Sequence, residues 1–157
     1  VSINSSAILN PELIKEGAEN FGSQCIVVAI DAKSTKNSSI KSGYEVFSHG
    51  GKRPTGLDAI KWAKKAVNHG AGELLITSMD RDGTKKGFDL VLTKKISSNV
   101  PVPIIASGGV GKLEDFVDGF KIGGASGLLA ASVFHFGKYK ISEVKERLKN
   151  EGLPARI

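Results

Sequence analysis

Uncharged apolar runs alternating with amphipathic segments constrain this chain more than any other feature. Cys25–Ile30, Leu74–Thr77, Val102–Ala106 and Leu128–Ala131 carry no charge, as strands covered on both faces require, and they predict a parallel sheet. Helical segments lie between them. Asn10-Pro11 opens one, with Pro at the first helical position and Leu13, Ile14 and Ala18 behind it. Thr55-Gly56-Leu57-Asp58 reads as a capping-box variant opening a second, whose Leu57, Ile60 and Val67 share a face. Phe88–Ser97 forms a third. Leu113, Phe116, Val117 and Phe120 recur at i, i+3, i+4 and i+7 in the next, and Ile141, Val144 and Leu148 mark the last. Repeated βα units with right-handed crossovers build either an open doubly wound sheet or a closed (β/α)8 barrel.

At 157 residues the chain is expected to form one domain, and a full barrel needs about 250. The expectation is therefore an α/β chain of the (β/α)8 barrel class holding about the C-terminal half to two-thirds of a barrel. Val1-Ser2-Ile3 reads as the tail of another strand with no initiator Met, so something upstream is expected. The charged helix closing at Asn150-Glu151-Gly152, followed by Leu153-Pro154, reads as a natural end. Within this single 1–157 domain one irregular stretch, at about 33–54, is expected to be a β-hairpin excursion. There Tyr44–Ser48 alternates and His49-Gly50-Gly51 turns.

Cys25 is the only cysteine and sits in an apolar run. It is expected to be a buried core thiol, and no disulfide can form. No apolar stretch approaches the roughly 20 residues of a membrane span, and no basic-then-apolar leader opens the chain, so a cytoplasmic protein is expected. The net charge is +6 and the calculated pI is about 9.4. The lysines are spread along the helices without interleaved aromatics, which favours a phosphorylated metabolite over nucleic acid as the anionic partner.

Two small-residue turns point to that anion. Ile104-Ile105-Ala106 runs into Ser107-Gly108-Gly109, and Leu128-Leu129-Ala130 runs into Ala131-Ser132. Such turns bare backbone N–H groups where the next segment begins. Neither is a dinucleotide or Walker sequence, which argues against a nucleotide cofactor. Their order matches the phosphate site of barrels, after the seventh and eighth strands.

Asp31 follows Val27-Val28-Ala29-Ile30, where partial burial would raise its proton affinity for acid–base work; capping the following turn is the alternative. In Asp80-Arg81-Asp82-Gly83-Thr84 one carboxylate is expected to face the ligand while the other pairs with Arg81. No His or Cys lies at ligand spacing from these acids, so neither metal nor cofactor is expected. His49 reads as a solvated loop residue, His135 as packed and structural, and Trp62 as packing or half-covering the surface. If Glu73, Leu75 and Thr77 share a strand face, the Glu73 carboxylate points into the barrel at the end away from the active face. An exposed strand-start Glu is the plainer reading.

Taken in order, Val1-Ser2-Ile3-Asn4, Val28-Ala29-Ile30-Asp31-Ala32-Lys33, His49-Gly50-Gly51-Lys52, Gly70-Ala71-Gly72-Glu73, Asp80-Arg81-Asp82-Gly83-Thr84, Ala106-Ser107-Gly108-Gly109 and Ala130-Ala131-Ser132-Val133-Phe134-His135 resemble the cyclase subunit of imidazole glycerol phosphate synthase, from the end of its fourth strand onward. The resemblance implies a histidine-biosynthesis enzyme. It would join ammonia from a glutaminase partner to phosphoribulosyl-formimino aminoimidazole carboxamide ribotide, and release imidazole glycerol phosphate and aminoimidazole carboxamide ribotide. It further implies that Glu73 belongs to a ring of charges where ammonia enters on the amino-terminal face. The substrate carries a phosphate at each end. Asp82, Gly83, Gly109, Ala131 and Ser132, with Ser107 and Gly108 in the same loops, match one phosphate site, and Asn4 with Ser5 matches part of the other. Asp31 and Asp82 are the catalytic candidates. The aspartate that the family pairs with Asp31 ends the first strand and has no counterpart here, so this polypeptide alone is expected to be nearly inactive. Two alternatives stand beside the cyclase. One is the phosphoribosyl isomerase of the same pathway, which shares the Asp-Gly-Thr turn and the Ser-Gly-Gly loop. The other is a non-enzymatic phosphate-binding half-barrel, whose exposed sheet edges would favour self-association.

Overall fold

A computed structural model describes residues 1–155, so the last two residues of the 1–157 domain lie outside the described residues. Strands β1 (Ser2–Ile3), β2 (Val27–Ser34), β3 (Tyr44–Ser48), β4 (Arg53–Asp58), β5 (Glu73–Ser78), β6 (Ile104–Ser107) and β7 (Gly127–Leu129) form one sheet. β1, β2, β5, β6 and β7 run parallel, each beside the next in chain order. Their order never reverses, so the parallel strands have no doubly wound switch point. This α/β architecture is compatible with part of a barrel.

β3 and β4 pair antiparallel and lie beyond β2. β3 shares an edge of β2 with β1: β1 takes Val27 and Val28, while β3 takes Asp31 to Ser34. The hairpin is the excursion expected near 33–54, but its second strand continues to Asp58.

The helices are α1 (Ser5–Leu9), α2 (Glu12–Phe21), α3 (Ala59–Asn68), α4 (Leu90–Ser97), α5 (Leu113–Lys121), α6 (Ser132–His135) and α7 (Ile141–Asn150). They cover one sheet face, and strand alternation follows from that. Val28, Ile30 and Ala32 of β2 and Leu74, Ile76 and Ser78 of β5 are buried, whereas Val27, Ala29, Asp31, Glu73, Leu75 and Thr77 on the opposite face are half-buried. Ala59, Trp62, Ala63 and Ala66 of α3 and Leu92 and Ile96 of α4 pack on the covered face. A second cluster joins Phe88, Ala106, Phe116, Val117, Val133, Val144 and Leu148. Among the described residues no helix is long and apolar enough to cross a membrane.

Several expectations are corrected. Cys25 is exposed, because a short 3-10 turn at Ser23–Cys25 delays the strand until Val27. Pro11 is the cap of α2, one residue before its first turn, and the separate helix α1 precedes it. Asp58, not Thr55, caps α3, accepting from the Ile60 and Lys61 N–H groups. Leu57 therefore lies in a strand and not on a helical face. Of the two placements expected for Trp62, the packed one is observed: it is only 3% exposed and belongs to the core.

A polar network fastens the hairpin to the sheet. The Tyr44 hydroxyl donates to Asp89 Oδ1 at 3.2 Å, the Ser78 hydroxyl donates to Asp89 Oδ2 at 3.1 Å, and the Leu92 N–H donates to Asp89 Oδ1 at 3.0 Å. Burial first, then the Asp89 charge and hydrogen bond, push the Tyr44 phenol up from 10.0 to about 12. A raised folded pKa favours the neutral phenol in the native state, so its contribution is complete below pH 10 and lost as pH rises through 12. Ultraviolet difference titration should show a late tyrosinate step that is missing in Tyr44→Phe. Ionisation of Tyr44 near pH 10 would show that this network does not hold.

Candidate anion-binding and catalytic site

The strand register sets the working level of the site. Asp31 is paired with Thr77, Thr77 with Ser107 and Ser107 with Leu129, one rung across four parallel strands. Asp31 and Ser107 are two strand spacings apart, about 10 Å between backbones. The loops beyond this rung enclose a cavity of about 170 Å³ lined by Asp82, Gly83, Lys85, Ser107–Val110 and Leu129–Ser132. Both small-residue turns read from the sequence therefore meet at one place, together with the Asp82-Gly83 turn. Among the described residues the N–H groups of Gly83, Gly108, Gly109, Ala131 and Ser132 donate to no group of the chain. Unspent donors around one cleft suit an anion.

Close backbone packing fixes this cleft. Gly108 and Gly109 have φ of +93° and +101°, a region that favours glycine. A Cβ at Gly109 would lie 2.3 Å from the Gly87 carbonyl oxygen and 2.9 Å from Arg81 Cβ. The Gly87 N–H donates to the Gly109 carbonyl at 2.7 Å, which latches the 81–87 loop to the 107–111 loop. Thr84 holds the first loop in shape, its hydroxyl donating to the Arg81 carbonyl at 2.7 Å. Asp115 holds the second: Oδ2 accepts from the Gly111 and Lys112 N–H groups at 2.8 and 2.9 Å. Lys138 Nζ donates to the Gly111 carbonyl from outside.

Asp31 stands on the same rung but outside the cavity wall. Asn4 Nδ2 donates to Asp31 Oδ2 at 3.0 Å. Burial raises the Asp31 pKa, the Asn4 bond opposes that, and the negative charge of Asp82 raises it again. A half-buried carboxyl with raised proton affinity is suited to carrying a proton. Ser5, at the start of α1, accepts from the His49 N–H at 2.8 Å. Asn4 and Ser5 thus gather near Asp31 and the hairpin turn, apart from the cleft. Glu73 begins β5 at the other end of the strands, on the half-buried face it shares with Leu75 and Thr77.

Some pairings differ from expectation. Arg81 does not pair with Asp80 or Asp82: its Nη1 donates to the Lys86 carbonyl, while Asp80 Oδ2 accepts from the Ser34 N–H. His135 is exposed, stacked edge-on against the exposed Phe136, because the short α6 turns Val133 and Phe134 toward the core. His49 is exposed in its turn, as its glycine surroundings predicted. Lys85, which lines the cleft, has no distinguishing signal in a lysine-rich chain. Asp115 had one, since an acidic residue three positions after a helix start often caps it.

A mostly parallel, sequentially wound α/β sheet with a polar cleft beyond its strand ends defines the structural class. The family model described as "Histidine biosynthesis protein" matches residues 1–140, and the chain belongs to that family. Members are enzymes of histidine biosynthesis, and both the cyclase and the isomerase branches fall within the family.

Proposed function

We propose that the chain belongs to the cyclase branch, whose enzyme joins ammonia to the phosphoribulosyl-formimino carboxamide ribotide and releases imidazole glycerol phosphate and aminoimidazole carboxamide ribotide. The observation that carries this reading is the convergence of the Asp82-Gly83, Ser107–Gly109 and Ala131-Ser132 turns on one cleft, with Asp31, whose proton affinity burial raises, on the same strand rung. In this reading the cleft N–H groups hold one terminal phosphate, with the Lys85 charge nearby. Asn4 and Ser5 belong to the opposite phosphate site. The substrate then lies across the mouth beneath Asp31, which moves protons as the imidazole ring closes. Asp82 is the second catalytic candidate at the edge of the cleft.

Asp31 within Ala29-Ile30-Asp31-Ala32-Lys33, and Val133-Phe134-His135-Phe136, favour the cyclase over the isomerase. Ammonia would arrive from a glutaminase subunit docked at the amino ends of the strands, where Glu73 stands. Closure of the sheet into a barrel and a cytoplasmic setting go with the same reading. Complementation separates the branches: the intact gene should rescue a histidine auxotroph lacking the cyclase and fail in one lacking the isomerase. The reverse pattern would assign the isomerase.

A further inference from the structure

A second cavity, of about 210 Å³, lies on the helical side of the molecule where the 37–42 loop and the end of β4 meet α3. Its wall combines apolar and cationic groups: Ile40, Leu57 and Trp62 supply the former, Lys61 and Lys65 the latter. The two lysines are one helical turn apart, so both ammonium groups can reach the same rim. Both are exposed, and neither forms an ion pair among the described residues.

The acid beside them is already engaged. Asp58 Oδ1 accepts from the Ile60 and Lys61 N–H groups at 3.0 and 3.1 Å, and Oδ2 from the Ser42 N–H at 2.7 Å. Trp62 adds an independent observation. It is 3% exposed, and its indole nitrogen is buried with no acceptor among the described residues. A buried donor without an acceptor is unfavourable, and the residue that carries it lines this cavity.

We propose that this cavity binds a small organic carboxylate with an aromatic or branched apolar body. The body packs on Ile40, Leu57 and Trp62 while the carboxylate meets Lys61 and Lys65. The cavity is below the roughly 300–1,000 Å³ of drug-sized pockets, which limits the ligand to a fragment of about one ring. Inorganic phosphate has no apolar body for this wall.

Trp62 is the only tryptophan in the chain, so its fluorescence reports the site directly. Titration with 3-phenylpropionate should change that emission saturably, and inorganic phosphate should neither reproduce the change nor compete with it. The neutral amide, 3-phenylpropanamide, should bind about tenfold or more weakly, as should the carboxylate to a Lys61→Gln, Lys65→Gln double variant. Both lysines are on the surface, and an unchanged thermal midpoint would show that the variant folds. An unsaturable signal, equal affinity for acid and amide, or undiminished binding to the folded double variant would overturn the proposal.

Discussion

Asp31→Asn should cut ammonia-dependent turnover of the intact protein by about 10²–10⁴-fold, the usual contribution of one positioned acid–base group. The substitution keeps the side-chain shape and an oxygen to accept from Asn4 Nδ2, so the mouth is not rearranged. Loss should therefore fall on kcat, with KM changed only a few-fold. Stability should move the other way. Burial, reinforced by the Asp82 charge, sets the folded pKa of Asp31 above its unfolded value. Any stabilisation from this group is present only below the unfolded pKa and is lost as pH rises through the folded one. At neutral pH the half-buried charge opposes folding, so Asp31→Asn should raise the thermal midpoint while removing activity. Turnover within a few-fold of the parent would remove Asp31 from the proton-transfer role.

Gly109→Ala should weaken binding of a phosphate monoester by more than about tenfold and destabilise the fold by about 2–5 kcal/mol. Two costs combine. Positive φ penalises a Cβ by about 1–2 kcal/mol, and overpacking adds about 1–3. The methyl would meet the Gly87 carbonyl oxygen at 2.3 Å, and that oxygen belongs to the loop latched onto Gly109 itself. Relief can come only by moving the 81–87 loop away, which takes Asp82, Gly83 and Lys85 out of the cleft wall. Gly137→Ala is the matched control. Gly137 has φ of +65° with nothing within 4 Å of an added Cβ, so it bears the conformational cost without the clash. Equal loss of phosphate affinity in both variants would show that loop packing does not shape the cleft.

The parallel strands and the small-residue turns that line one cleft were legible in the sequence because residue type alone carries them. An uncharged run such as Ile104–Ala106 is incompatible with an exposed face, and Ser107-Gly108-Gly109 exposes backbone whichever fold surrounds it. Features decided by competition between neighbouring segments were not legible. Thr55 and Asp58 are both good caps, but the Thr55 hydroxyl is spent inside the hairpin, donating to the Val46 carbonyl, while the Asp58 carboxylate accepts from the first N–H groups of α3. Cys25 follows a residue pattern like a strand's, yet the 3-10 turn before Val27 leaves it in solvent. The shared edge of β2 depends on where two distant segments dock, which no local pattern encodes. Apolar neighbours likewise said nothing about His135, because a helix of four residues has too little surface to bury them all.

Product analysis on the purified intact protein tests the cyclase reading most directly. Supplied with ammonium and phosphoribulosyl-formimino aminoimidazole carboxamide ribotide, it should form imidazole glycerol phosphate and aminoimidazole carboxamide ribotide in equal amounts, and both should disappear with Asp31→Asn. Turnover of the isomerase substrate, with neither of those products formed from the ammonium mixture, would contradict the cyclase reading.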